Sequence, residues 1–87
     1  MMNSEQRIEA IKQRLQENFQ PSQLEIIDDS HRHIGHAGSR DGAGHFTVVI
    51  SADIFKDKSR VDVHREIYRA LDDLIPGEIH ALRIKSL

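Results

Sequence analysis

The chain has 87 residues, of which 38% are hydrophobic and 30% are charged, so it is long enough for one core and too apolar for a disordered chain. Twelve Lys and Arg residues against fourteen Asp and Glu give a formal net charge of −2, which excludes a long-range attraction of the whole chain to nucleic acid or anionic lipid. Cysteine is absent, which excludes disulfides and thiolate metal ligands and leaves six histidines as the soft ligands.

We predict a single domain over residues 1–87. The first fourteen residues lack the apolar segment of a signal peptide, and no run of about 18 apolar residues occurs. We therefore expect no membrane association, a cytoplasmic location and a monomer when the chain is alone.

An apolar stripe at helical spacing predicts a first helix over residues 4–19. Asn3 or Ser4 can cap its start, and Pro21 disfavours helical geometry at Gln20. The stripe consists of Ile8, Ile11, Leu15 and Phe19.

Two strands are predicted next, at residues 23–28 and 45–51, and we expect them to pair antiparallel. In the first, Leu24 and Ile26 share one face. The second is dense in β-branched residues. The loop between them, residues 31–44, contains four glycines and three histidines, and loops of this length usually have a function.

Residues 53–60 form a charged turn, and a second main helix follows, with Ser59 as its cap and Pro76-Gly77 as its end. We expect His64 to be a structural histidine packed beside Tyr68. The apolar side of this helix is predicted to consist of Val61, His64, Tyr68, Leu71 and Ile75.

A last strand is predicted over residues 79–85, with His80, Leu82 and Ile84 on one face. A helix joins the second and third strands, which allows them to pair parallel. The predicted fold is α+β in the order α-β-β-α-α-β: a three-stranded sheet with helices packed on one face.

Four sequence blocks follow one another in chain order: Leu24 to His31 (LEIIDDSH), His45 to Ser51 (HFTVVIS) followed by Phe55, His64 to Tyr68 (HREIY), and Ile79 to Leu82 (IHAL). In this order they resemble the BolA family, and the resemblance covers nearly the whole chain. It implies a fold related to the class II KH arrangement.

The resemblance also implies a partner and a cofactor. BolA-like proteins pair with a monothiol glutaredoxin and share a [2Fe-2S] cluster, for which glutaredoxin and glutathione supply thiolates and the BolA partner supplies histidines. The ligand near the C-terminus corresponds to His80, and the loop ligand to His33 or His36. This implies a role in iron-sulfur cluster trafficking or in iron- and redox-linked regulation.

Considered without the resemblance, the loop histidines admit other interpretations. His31, His33 and His36 lie within six residues of each other. They can be solvated loop residues, or they can converge on a zinc ion if His45 joins them as a fourth ligand. One or two ligands that face a partner is the interpretation we adopt.

A second candidate function is DNA binding, since BolA-like proteins have been considered transcriptional regulators with a surface like a helix-turn-helix. Five basic residues run from the turn into the second helix, although acidic residues interrupt them. We do not expect an enzyme, because no nucleophile lies at a recognisable spacing from the histidines. The basic residues are Lys56, Lys58, Arg60, Arg65 and Arg69.

Overall fold

The computed structural model describes residues 2–30 and 43–87, and it confirms the predicted α+β class and element order. Within these ranges no helix is both long and apolar enough to cross a membrane. The elements are α1 (Ser4–Phe19), β1 (Gln23–Asp28), β2 (Gly44–Ser51), a 3-10 turn (Asp53–Phe55), α2 (Arg60–Ala70), a second 3-10 turn (Asp72–Leu74) and β3 (Ile79–Ser86).

The predicted limits of α1 are confirmed, and the structure shows which residue caps it. The Asn3 side chain accepts a hydrogen bond from the Gln6 amide at 2.9 Å, and the Gln6 side chain accepts one from the Asn3 amide. This capping box satisfies two N–H groups that have no partner inside the helix. At the other end, Gln20 takes the left-handed conformation with φ 47° immediately before Pro21, so the helix stops there.

The sheet has the strand order β1-β2-β3. β1 pairs antiparallel with β2, and β2 pairs parallel with β3, as predicted. The central strand alternates strictly: Phe46, Val48 and Ile50 are buried, whereas the residues between them are half-buried. Strand β2 therefore has one face in the core and one half-buried face that neither α1 nor α2 covers.

One hydrophobic core lies between the sheet and the helices. Leu24 and Ile26 of β1 pack against it from the sheet edge, which confirms the predicted face of that strand. Phe19 at the end of α1 meets Phe55 of the first 3-10 turn with a ring separation of 5.0 Å. The fully buried side chains are Phe46, Ile11, Leu15, Ile50, Ile67, Leu71, Ile79 and Val48.

The predicted buried side of the second main helix is right in part, and Ser59 caps α2 as expected, through a bond from the Asp62 amide. Leu71 is buried and Ile75 packs against the core as predicted, but Val61 is 58% exposed and Tyr68 41%. In their place the buried stripe contains Val63, Ile67 and Leu74. Both stripes have helical spacing, but the aliphatic one removes apolar surface from water without burying an imidazole or a phenol hydroxyl.

The end of the second main helix also differs from the prediction. The α-helix stops at Ala70, and the chain continues as the 3-10 turn Asp72–Leu74 before it reaches Pro76. The tighter turn lets Leu74 enter the core next to Leu71. The prediction relied on Pro76-Gly77 as the stop and missed this tightening, which is common at helix ends.

Candidate metal-binding site

Two histidines lie next to each other at the start of two adjacent strands. His45 is the second residue of β2 and His80 is the second residue of β3. Because these strands run parallel, their first residues lie side by side at the same end of the sheet. The centroids of the two imidazole rings are 5.1 Å apart.

His80 is exposed because β3 contains an extra residue at this point. Gly44 is opposite Ile79, whereas His45 is opposite Ala81, so His80 has no partner in the register. This bulge lets both Ile79 and Leu82 face the helices. Burying Ile79 in place of the imidazole contributes about 1.5–3 kcal/mol.

The bulge corrects the predicted face of His80. In a regular strand His80 would share the helix-covered face of Leu82 and Ile84, as the sequence pattern indicated. The structure keeps Leu82 and Ile84 packed against the core and leaves His80 exposed. The extra residue reverses the alternation between them.

Hydrogen bonds hold the backbone of His45 on both sides. Its N–H donates to the Ser30 hydroxyl at 3.0 Å, and its carbonyl accepts from the Asp29 amide at 2.7 Å. The Thr47 hydroxyl also donates to the Asp29 carboxylate. These bonds connect the residues that follow β1 to the start of β2.

The two loop candidates, His33 and His36, lie outside the described residues, as does His31. The residues that border the segment are described. Ser30 and Ala43 flank residues 31–42, and the bond between Ser30 and His45 closes the base of that segment beside the His45–His80 pair. The chain therefore leaves β1 and enters β2 at the same end of the sheet at which His80 is exposed.

Glu78, two residues before His80, belongs to a largely buried ion pair. Arg7, 7% exposed, donates from Nε to Glu78 Oε1 at 2.9 Å, and the Met2 amide donates to the same oxygen at 3.2 Å. The hydrogen bond from Arg7 holds the pKa of the Glu78 carboxyl below its ordinary value. Glu78 is therefore a carboxylate at neutral pH, two residues before His80.

The spacing of the two rings fits a shared metal centre. With metal to nitrogen bonds of about 2.0–2.1 Å, two imidazoles on one tetrahedral metal have ring centroids roughly 5 Å apart. The observed separation of 5.1 Å is close to this value, and it is also an ordinary separation for two packed rings. Within residues 2–30 and 43–87, no group of three or more His, Asp or Glu side chains is placed to hold a metal. The described residues thus bring two histidines together without a third candidate ligand beside them.

His64 does not take part in this pair. It was predicted to be a structural histidine on the apolar side of α2, but its side chain is exposed. Its neighbour Tyr68 donates its hydroxyl to the Leu82 carbonyl at 3.2 Å. The contact of α2 with β3 is thus made by the phenol and not by the imidazole.

The five basic residues proposed for DNA binding are all exposed, but two of them have acidic partners. Lys58 lies 3.2 Å from the Glu66 carboxylate, and Lys56 lies 3.9 Å from Asp53. Arg60, Arg65 and Arg69 form no ion pair with other described residues. The positive strip is therefore reduced to three arginines along α2.

Sequence reasoning missed His45 as the neighbour of His80. It considered His45 only as a ligand for the loop histidines. The signal was present, since both strands start with a histidine in second place and parallel pairing aligns their starts. The one-residue bulge that turns His80 outward has no comparable signature.

Comparison with known proteins agrees with this description. Residues 15–87 match the family model described as BolA-like protein. SufE-like protein 1, chloroplastic/mitochondrial, from Arabidopsis thaliana is 40% identical over 79 residues, which are 85% of this chain and 21% of that protein. The DNA-binding transcriptional regulator BolA of Escherichia coli strain K12 is 38% identical over 78 residues, covering 90% of this chain and 71% of that protein.

A solved structure shows the same architecture. The BolA domain of SufE1 from Arabidopsis thaliana superposes with a TM-score of 0.81 at 35% identity, covering 99% of this chain and 93% of that one. Fold, family match and relatives together define a small BolA-type α+β domain. The chain belongs to the family of BolA-like proteins.

Proposed function

We propose that this chain pairs with a monothiol glutaredoxin and supplies histidine ligands to a [2Fe-2S] cluster that the two proteins share with glutathione. The observation that carries the proposal is the exposed His80 with its ring 5.1 Å from that of His45. Neutral imidazole is a competent iron ligand. His33 and His36 remain the loop candidates, and we add His45 because its ring contacts that of His80.

Ligand count explains why a partner is needed. A [2Fe-2S] cluster takes four protein or thiol ligands, usually thiolates, and this chain contains no cysteine. Two histidines satisfy one iron and leave the other to the glutaredoxin cysteine and glutathione. When bound, such a cluster transfers single electrons, and histidine ligands raise its reduction potential relative to four thiolates.

The chain's own residues would orient the ligands. The bonds of His45 to Ser30 and Asp29, together with the strand pairing of Ala81, set the backbone on either side of the site before a partner arrives. Preorganised ligands lose less entropy on binding than ligands on a loop. We therefore assign His80 the larger share of cluster affinity and the loop histidines a smaller one.

The test is to mix the chain with cluster-loaded monothiol glutaredoxin and record the visible circular-dichroism spectrum. A new spectrum with one-to-one stoichiometry supports the proposal. The chain alone should bind little cluster. A stable cluster on the isolated chain, or an unchanged glutaredoxin spectrum after mixing, would contradict it.

DNA binding is the second candidate, because the Escherichia coli relative is named a DNA-binding transcriptional regulator. Arg60, Arg65 and Arg69 would contact phosphates. About three contacts give weak binding that falls steeply with salt and shows little sequence preference. A protected sequence that survives physiological salt in a footprinting experiment would favour this function over the first. The expected cytoplasmic location is part of either proposal.

A further inference from the structure

The bulge that exposes His80 begins at a residue with bonds in three directions. The Glu78 amide donates to the Leu74 carbonyl at 2.8 Å, and its own carbonyl accepts from the Gly44 amide at 3.0 Å. Its carboxylate accepts from Arg7 and from the Met2 amide. Glu78 is thereby tied to the second 3-10 turn, to the start of β2 and to α1.

The register of β3 depends on where Glu78 is held. From Ser86 back to Ala81, β3 follows β2 one residue for one residue, and this regular register would place His80 opposite Gly44. The structure places Ile79 there instead. The bond from Gly44 to the Glu78 carbonyl occurs in this shifted register, so a displaced Glu78 would free the strand to slip by one residue.

A slip by one residue would move His80 to the other face. Residues directly opposite each other share a face, so a His80 opposite Gly44 would lie on the covered side with Phe46. It would no longer be beside His45, whose side chain lies on the opposite face of β2. The pair of imidazoles exists only in the bulged register.

We propose that Glu78, held by Arg7, is a positioning residue that maintains the bulge and so keeps His80 exposed beside His45. The biological use of this positioning rests on the proposed function. The geometry itself can be measured in the chain alone. The competing explanation is that burial of Ile79 is sufficient to maintain the bulge. Glu78 variants retain Ile79 and therefore separate the two.

The chain offers a matched control on the same helix. Arg14 of α1 pairs with Asp73 of the second 3-10 turn, as Arg7 pairs with Glu78, but the Arg14 pair is more exposed and does not bond to Glu78. Arg14→Met removes an α1 ion pair and leaves the contacts of Glu78 in place. An effect that appears both in Arg14→Met and in the variants of the Arg7–Glu78 pair reflects a general loss of stability.

The experiment uses the full chain with Ni²⁺ as the probe, since Ni²⁺ binds imidazole pairs. Calorimetry gives the Ni²⁺ affinity, and NMR records the nuclear Overhauser effect between the rings of His45 and His80. Far-ultraviolet circular dichroism confirms folding at the temperature used. Variants are Glu78→Ala, Glu78→Gln, Arg7→Met and Arg14→Met, with His80→Ala as the reference for a lost site.

We expect Glu78→Ala and Arg7→Met to lose the ring-to-ring effect and to bind Ni²⁺ at least about tenfold more weakly, a loss typical of second-shell changes. Glu78→Gln, whose amide oxygen still accepts from Arg7 and Met2, should retain most of the affinity. Arg14→Met should match the wild type. If Glu78→Ala does not fold, Arg7→Met and Glu78→Gln decide the matter.

The inference is overturned if folded Glu78→Ala or Arg7→Met keeps both the ring contact and the affinity, or if the wild type shows no ring contact. Its failure is distinguishable from that of the proposed function. Suppose the wild type shows the ring contact, the Glu78 variants lose it, and no complex forms with cluster-loaded glutaredoxin. The positioning role of Glu78 would then be supported and the proposed cluster function contradicted.

Discussion

Gly44 lies directly against the ring of Phe46. A Cβ at Gly44 would come within 2.6 Å of Phe46 Cζ and 3.1 Å of the Ser30 hydroxyl. Phe46 is 2% exposed, so its ring cannot move away without disturbing the core. The first residue of β2 therefore has to be glycine for Phe46 to pack as it does beneath the His45–His80 edge.

Gly44→Ala should consequently destabilise the protein by about 1–3 kcal/mol, the usual cost of overpacking. Gly77→Ala is the matched control, because a Cβ there meets nothing within 4 Å. It should change the free energy of unfolding by no more than about 0.5 kcal/mol. Urea denaturation of both variants checks the difference, and equal stabilities would show that the Phe46 ring relaxes easily.

The 3-10 turn Asp53–Phe55 gives a second pair of matched variants. Phe55 is 6% exposed and packs on Phe19, whereas its neighbour Ile54 is 48% exposed. Phe55→Ala should cost about 3–5 kcal/mol, in the range of other buried aromatic truncations. Ile54→Ala should cost well under half of that. Thermal unfolding followed by circular dichroism measures both, and similar losses would argue against the Phe19–Phe55 contact.

The ion pair of Arg14 and Asp73 predicts a pH dependence of stability. Arg14 Nε donates to both oxygens of Asp73, at 2.9 and 3.0 Å, and these bonds lower the pKa of Asp73 below its ordinary value. A lowered pKa in the folded state adds stability above the unfolded pKa of about 4, and this stability is lost as the pH falls through the folded value.

Arg14→Met should therefore be less stable than the wild type at pH 7, and the difference should shrink as the pH falls below about 4. Because Asp73 is largely exposed, the difference at neutral pH should be small, about 0.2–1 kcal/mol. Urea titrations across this range at low ionic strength give the comparison. A difference that is the same at every pH would mean that the lost contact is apolar.

The sequence predicted the fold well where one periodicity dominated. Helix α1 has a single apolar stripe and a capping residue at its start, and β2 has a run of β-branched residues, so both were placed within a residue of their observed limits. In α2 two stripes compete at the same spacing. Pattern alone does not rank Val61 and Tyr68 against Val63 and Ile67, because packing against the sheet decides it.

The position of His80 was predicted in part, for a similar reason. His80 was singled out through the resemblance of its block to a family, and the structure leaves its side chain exposed; its role as a ligand stays a prediction. Its face was predicted wrongly because the bulge depends on the bonds of Glu78 to α1 and β2, which are distant in sequence. The hydrophobic pattern of a single segment does not predict such contacts between distant parts of the chain.

A titration of histidine variants tests the central claim, that His80 is the main cluster ligand of this chain. The variants are His80→Ala, His45→Ala, the double change of His33 and His36 to Ala, and His64→Ala as the control on an exposed histidine outside the site. Each is added to cluster-loaded monothiol glutaredoxin, and the visible circular-dichroism spectrum is recorded beside a far-ultraviolet spectrum that confirms folding.

The account predicts that His80→Ala abolishes the spectrum of the mixed-ligand complex, because the remaining histidines cannot replace a ligand that the sheet holds in place. His45→Ala and the double loop change should each weaken or alter the spectrum, since one can replace the other in part. His64→Ala should reproduce the wild type. A folded His80→Ala variant with an unchanged spectrum would contradict the account.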